Sequence, residues 1–83
     1  MVIRVRVLYF AQAREAAGTA AESLEIPDSS SVRHLIKEST KAHAGLRKLS
    51  NAMRVAVNEE MAGEDVRLAD GDTVAFLPPV AGG

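Results

Sequence analysis

Apolar and polar side chains alternate cleanly at the start of the chain. Between residues 1 and 9 every second position is apolar, and two of the intervening positions, Arg4 and Arg6, are charged. A period of two predicts a β-strand with one buried face. Residues 11–17 then favour a short helix, which Gly18 is expected to end because glycine readily adopts the left-handed conformation found there.

The next part of the pattern predicts a second strand and then the main helix. In residues 21–26, Leu24 and Ile26 lie on one face of a strand, and a short helical connection is compatible with antiparallel pairing to the first strand. Ser31 predicts the N-cap of a helix, since its hydroxyl can accept a hydrogen bond from the first turn. Apolar residues repeat at helical spacing after it, and Gly45 is expected to end this helix.

The pattern in the last third of the chain predicts strands joined by turns. Residues 53–57 alternate again, and residues 61–62 are expected to add a very short strand. Residues 70–72, with the sequence Asp-Gly-Asp, carry the strongest turn signal in the chain. They lead into a final strand over residues 73–77, which a proline pair closes because proline cannot donate to a sheet.

This order of elements predicts an α+β fold. A strand pair, one long helix and two or three further strands would form a mixed sheet packed on one main helix, and the first and last strands are apolar enough to be central. The ubiquitin-like β-grasp fold has this arrangement, although periodicity alone does not select the topology. We expect a β-grasp domain over residues 1–78 and a flexible, extended C-terminal diglycine tail over residues 79–83.

Composition narrows the possible functions. The chain has 83 residues, no cysteine and a net charge of −1. An internal catalytic thiol, a disulfide and a thiolate metal site are excluded, and nothing favours nucleic-acid binding. No apolar run approaches the ~20 residues of a membrane span, and no signal peptide is expected because the first strand begins almost at the first residue. We therefore expect a soluble, cytoplasmic protein.

The tail carries the most distinctive chemistry. It is uncharged and follows the last strand without a polar linker, two features that are unusual in a frayed terminus. Pro78 and Pro79 stiffen the exit, and Val80 and Ala81 lengthen the arm. Gly82 and Gly83 lack side chains, so they could enter a narrow channel in a partner. The carboxylate of Gly83, once converted to an acyl-adenylate, could accept sulfur and become a thiocarboxylate.

Other polar residues are better explained by structure. His34 and His43 are too isolated to predict a metal site, and Ser29–Ser31 have no histidine–acid partners. Asp70 and Asp72 flank a turn glycine. Because no phosphate-binding glycine loop occurs, we expect the chain to bind neither ATP nor any other cofactor or metal itself.

Three segments resemble a known family. Residues 8–18, which begin Leu-Tyr-Phe-Ala-Gln-Ala-Arg-Glu, residues 55–58 and residues 68–83 are similar to the corresponding parts of molybdopterin synthase small subunits, the MoaD-type sulfur carriers of the ubiquitin-like family. The resemblance spans the whole chain and is strongest in the closing segment.

The resemblance implies a two-stage mechanism. An adenylyltransferase related to ubiquitin-activating enzymes would use ATP to activate Gly83, and a persulfide donor would supply sulfur. The thiocarboxylate would then donate sulfur to a cyclic pyranopterin precursor in the large subunit of molybdopterin synthase, forming the dithiolene needed for molybdenum cofactor biosynthesis. Two small and two large subunits form a heterotetramer in this family. Catalytic side chains would belong to the large subunit, so that the chain alone is a non-catalytic carrier.

Docking residues are expected near the tail. Phe10, Met61 and Leu77 lie at strand ends or turns and could form an exposed apolar patch, although each could equally serve the core. The resemblance implies that they contact both partners, and that the tail residues Pro78, Pro79, Val80 and Ala81 also bind the partner. It also favours an interface role for Arg14, for which the alternative is a solvated pair with Glu15.

Two other classes of function share these features. A sulfur carrier for thiamin or for tRNA thiolation would have the same fold and diglycine. A ubiquitin-like protein modifier would instead be joined through Gly83 to a lysine of its target. The combination of the Phe-Ala-x-x-Arg-Glu motif with the Pro-Pro-x-x-Gly-Gly ending favours the molybdopterin pathway.

Overall fold

The fold is described from a computed structural model, which covers residues 1–49 and 52–78. The elements in chain order are β1 (Val2–Tyr9), α1 (Ala11–Ala17), β2 (Ala21–Pro27), α2 (Val32–Ala42), a 3-10 helix (Ala44–Lys48), β3 (Arg54–Val57), β4 (Glu60–Ala62) and β5 (Thr73–Leu77).

The strands form one mixed sheet in the order β2-β1-β5-β3-β4. β1 pairs antiparallel with β2 and parallel with β5, whereas β3 pairs antiparallel with both β5 and β4. The two most apolar strands, β1 and β5, are therefore central, as their sequences predict. With α2 packed on one face, this arrangement confirms the ubiquitin-like β-grasp fold.

The core lies between the inner face of the sheet and α2. From the sheet it receives Ile3, Val5, Val7, Tyr9, Ile26, Val55, Val74 and Phe76, and from the helices and loops Ala13, Val32, Leu35, Leu46 and Leu68. Each fully buried aliphatic or aromatic side chain stabilises the fold by roughly 1.5–3 kcal/mol. These contacts bury the inner face of the sheet under the helices, and no described helix packs on the other face.

Short polar contacts fix the ends of the helices. The Oγ of Ser31 accepts a hydrogen bond from the backbone N–H of His34 at 3.2 Å, which confirms the predicted N-cap of α2. The N–H of Val32 donates to the carbonyl of Val66, so a second free donor of the first turn is satisfied. Gly18 ends α1 with a φ of 76°, as predicted.

The predicted end of the main helix at Gly45 is wrong. α2 ends at Ala42, and His43 turns the chain with its N–H donating to the carbonyl of Ser39. Gly45 lies inside the 3-10 helix instead. A Cβ at this position would lie 3.3 Å from the Cβ and carbonyl oxygen of Ala16, so glycine allows the 3-10 helix to approach α1 closely.

The predicted turn at residues 70–72 ties β5 to β1. The backbone N–H of Arg4 donates to the Oδ1 of Asp70 at 2.8 Å, and the N–H of Ala69 donates to the Oδ2 of Asp72 at 2.8 Å. Both carboxylates are used for backbone hydrogen bonds, as expected of turn residues rather than of a catalytic pair.

Candidate functional site

The tail leaves the sheet from its central strand. β5 ends at Leu77, and Pro78 is the last described residue. Pro79, Val80, Ala81, Gly82 and Gly83 lie outside the described residues. Their predicted roles, and the predicted boundary between domain and tail, therefore stay predictions.

A row of apolar residues crosses the outer face of the sheet. Leu8 of β1 pairs with Ala75 of β5, Ala75 pairs with Ala56 of β3, and Ala56 pairs with Met61 of β4. Residues opposite one another in neighbouring strands point to the same side of a sheet. The two alanines give this row a low centre between larger side chains at either end.

Phe10 and Leu77 occupy the next row, beside the exit of the tail. Tyr9 pairs with Phe76 in the parallel ladder, so the following residues, Phe10 and Leu77, are neighbours. Phe10 is 46% exposed and Met61 is 60% exposed, whereas Leu77 is half-buried. We call the set Leu8, Phe10, Ala56, Met61, Ala75 and Leu77 the outer apolar face.

The side chains of the outer apolar face do not belong to the hydrophobic core. In β5, Val74 and Phe76 are fully buried on the inner side, while the intervening Ala75 and the terminal Leu77 point outward. Apolar residues on both faces of a strand are typical of a strand that is covered on both sides. Here α2 covers one side only, so the second side is available to a partner.

Arg14 follows Phe10 by four positions in the chain and makes no ion pair in the part of the chain that the structure describes. It belongs to α1, which begins directly after Phe10, and its side chain is exposed. The neighbouring Glu15 is also exposed and is not paired with it. The position of Arg14 is compatible with partner contact, and its interface role stays a prediction.

Tyr9, Glu22 and His43 form a polar cluster at the C-terminal end of β1, which the sequence analysis did not predict. The Tyr9 hydroxyl donates to the Oε2 of Glu22, and the Nε2 of His43 lies 2.6 Å from the same oxygen. The rings of Tyr9 and His43 meet edge-on at 5.7 Å. Burial, reinforced by the hydrogen bond to Glu22, raises the pKa of the Tyr9 phenol well above its ordinary value. The cluster joins β1, β2 and the end of α2, and its members are 13 to 34 positions apart in sequence.

Residues 1–49 and 52–78 contain neither a candidate metal site nor a candidate membrane-spanning helix. No group of three or more histidine or acidic side chains there could hold a metal ion. None of the described helices has the length and apolar character that a membrane crossing requires.

The chain belongs to the ThiS family, whose model matches residues 7–83. It is also 39% identical over 83 residues to the molybdopterin synthase sulfur carrier subunit of Mycobacterium tuberculosis. That alignment covers 99% of this chain and 100% of the relative.

Solved structures share the fold over the full length. The complex of subunits 1 and 2 of the molybdopterin-converting factor from Helicobacter pylori contains a similar chain with 26% identity and a TM-score of 0.65, and the match covers 98% of this chain and 100% of that one. The small archaeal modifier protein 1 from Methanosarcina acetivorans is 25% identical with a TM-score of 0.85, covering 100% of this chain and 99% of that one.

Proposed function

We propose that this chain is the sulfur carrier subunit of a molybdopterin synthase and that Gly83 is its working residue. The observation that carries the proposal is the full-length similarity to a molybdopterin synthase sulfur carrier subunit, within a family match that runs through residue 83. The absence of cysteine fits a carrier that holds sulfur on its carboxyl group rather than on a thiol.

The proposed activation occurs on a separate adenylyltransferase. One carboxylate oxygen of Gly83 attacks the α-phosphorus of ATP, an O–P bond forms and pyrophosphate leaves. The acyl-adenylate carbon is then electrophilic. The terminal sulfur of a persulfide attacks it and displaces AMP, and cleavage of the resulting S–S bond by a thiol leaves the thiocarboxylate. ATP is thus a co-substrate of the activating enzyme and not a ligand of this chain.

The proposed docking surface is the outer apolar face. Phe10 and Leu77 lie at the ends of β1 and β5, next to the start of the tail, and Met61 lies on the same face of the sheet. One partner surface could therefore cover the face and receive the arm. Burying an exposed apolar side chain contributes about 25 cal/mol per Å² of surface removed from water. Activating enzyme and large subunit would use this face in turn, since a single tail cannot enter two active sites at once.

A single-turnover reconstitution tests the pathway. The thiocarboxylated chain is mixed with a molybdopterin synthase large subunit and the cyclic pyranopterin precursor, and dithiolene-containing product is measured. Product formation with return of Gly83 to the carboxylate would support the proposal. If the same thiocarboxylate instead supplies sulfur only to a thiazole-forming or tRNA-thiolating enzyme, the pathway assignment is wrong and the carrier chemistry stands.

The modifier alternative is supported by the likeness to the small archaeal modifier protein. It would require an isopeptide bond from Gly83 to a lysine of a target. Conjugates that survive thiol treatment and map to Gly83 by peptide mass would favour it over the carrier.

A further inference from the structure

A second concave surface lies on the helical side of the molecule. It is a groove of about 470 Å³ along one flank of α2. Its rim carries four basic side chains, those of Arg33, Lys37, Lys41 and Arg47, and its floor contains Ile36 and Thr40. We call this surface the basic groove.

The sequence spacing concentrates positive charge along α2. Arg33, Lys37 and Lys41 are four residues apart, so they lie above one another on one side of the helix. Like charges at this spacing destabilise a helix by roughly 0.2–0.5 kcal/mol per pair. Helix stability therefore does not explain this stripe of basic residues on α2. The proposed sulfur chemistry does not use it either.

Neighbouring acids neutralise one end of the stripe and fix the wall of the groove. The Arg33 guanidinium contacts the carboxylates of Glu64 and Asp65, each at 3.1 Å. The backbone N–H of Arg33 also donates to the Glu64 carbonyl at 3.0 Å. The loop after β4 is thereby held against the first turn of α2, and the groove does not need a ligand to form.

The middle of the stripe retains its charge. Lys37 makes no ion pair within the described residues. Lys41 contacts Glu38 at 3.5 Å, but both side chains are exposed and such a pair contributes little. Positive charge at Lys37 and Lys41 therefore faces an opening whose floor includes the half-buried Ile36.

We propose that the basic groove binds an acidic peptide segment of a partner protein, with one apolar side chain of that segment seated on Ile36. The charges of Lys37 and Lys41 are complementary to carboxylates on either side of such an anchor. A nucleic acid fits less well, because Glu64 contributes a negative wall, the described lining has no aromatic side chain for base stacking and the whole chain carries a net charge of −1.

The basic groove and the outer apolar face can be occupied together. α2 packs on the inner face of the sheet through Val32 and Leu35, so the groove lies on the helical layer. Phe10 and Met61 lie on the opposite face of the sheet. The acidic segment would thus bind the carrier while another protein holds the outer apolar face.

Fluorescence anisotropy with a defined probe tests the inference. The probe is a fluorescein-labelled peptide with three acidic residues on each side of a central leucine. Two control peptides replace the leucine by serine or the acids by their amides. We expect saturable binding to the full chain, weakened by either replacement, with amide shifts in an NMR titration confined to α2 and the loop at Glu64.

Charge reversal at two positions, one inside the groove lining and one outside it, provides a matched pair of variants. Lys37→Glu should weaken peptide binding about tenfold, because it places a like charge in the groove. Lys48→Glu makes the same change in net charge outside the lining and should alter binding less than about threefold at physiological salt, where screening acts within ~8 Å. Lys37→Glu should remain folded, since its carboxylate would stand four residues from both Arg33 and Lys41.

Several results would overturn the inference. These are no saturable binding up to about 1 mM peptide, equal binding by Lys37→Glu and Lys48→Glu, indifference to the leucine-to-serine change, or stronger binding by inorganic phosphate or a single-stranded oligonucleotide at the same amides. The assay uses no activating enzyme or large subunit, so its failure would leave the carrier proposal intact.

Discussion

The backbone N–H of Phe10 donates to the carbonyl oxygen of Phe76 at 3.4 Å. This bond extends the parallel ladder between β1 and β5 by one residue beyond β1. It brings the exposed ring of Phe10 beside Leu77 on the outer apolar face, while the ring of Phe76 is buried in the core. The start of the tail and the apolar surface beside it are therefore held by the same pair of central strands.

Polar substitutions on the outer apolar face should weaken partner binding. We expect Met61→Asp to raise the Kd for a molybdopterin synthase large subunit at least about tenfold, because a carboxylate would have to be desolvated against an apolar surface. Isothermal titration calorimetry with the purified large subunit provides the measurement.

Val66→Asp is the matched control for Met61→Asp. Val66 is 39% exposed, and it lies in the loop after β4 rather than on the outer apolar face. The same introduced charge should leave the Kd within about twofold of the original chain. Equal losses of affinity in the two variants would refute the docking surface.

A side chain at the penultimate residue should block transfer. Gly82→Val is expected to reduce sulfur transfer by at least about a hundredfold, since a branched side chain would prevent the tail from threading a narrow channel. Gly63→Val is the control, because a Cβ there meets no atom within 4 Å and the φ is not positive. Single-turnover rates with the large subunit give the comparison, and equal rates for Gly82→Val and the original chain would show that no narrow channel exists.

The buried phenol of Tyr9 predicts a loss of stability at alkaline pH. Its pKa is raised in the folded chain by burial and by Glu22, so the folded state favours the neutral phenol. A raised pKa contributes stability that is complete below the unfolded pKa of ~10 and is lost progressively as the pH rises from there to the folded pKa. Tyr9→Phe should lack this dependence.

Urea unfolding at about pH 9 and about pH 11 measures the effect of Tyr9. The free energy of unfolding should fall between these values by about 1.4 kcal/mol more in the original chain than in Tyr9→Phe. The difference between the two chains removes the contribution of lysine titration, which they share. Parallel pH dependences would mean that the phenol ionises as easily in the folded chain as in the unfolded one.

The N-cap of α2 should contribute measurably to stability. Ser31→Ala removes the acceptor for the His34 N–H and should lower the free energy of unfolding by about 1 kcal/mol. Ser23→Ala, at an exposed position of the edge strand β2, should change it by less than about 0.5 kcal/mol. Thermal or urea unfolding of both variants distinguishes a working cap from an incidental contact.

Local patterns predicted the elements that depend on neighbouring residues. The turn at residues 70–72 and the proline pair after Leu77 predicted the bounds of β5. Glycine chemistry predicted the end of α1 at Gly18, and Ser31 predicted the start of α2. The end of α2 was wrong because Gly45 is required by a close approach to Ala16, and such a contact between distant elements leaves no local signal.

The site was predictable only in part for the same reason. Phe10, Met61 and Leu77 could be singled out as apolar residues at strand ends, but their common face follows from the register that aligns Ala56 with both Ala75 and Met61. The cluster of Tyr9, Glu22 and His43 was missed altogether, because three single polar residues on separate elements form no motif.

The central claim is that Gly83 carries sulfur, and intact-mass spectrometry tests it most directly. The chain is incubated with a cognate activating enzyme, ATP and a sulfur donor whose activity is verified on a known carrier. A mass gain equal to the replacement of one oxygen by one sulfur, mapped to Gly83 and absent from a chain that lacks this residue, is the predicted result. An unchanged mass, or a gain located elsewhere in the chain, would contradict the account.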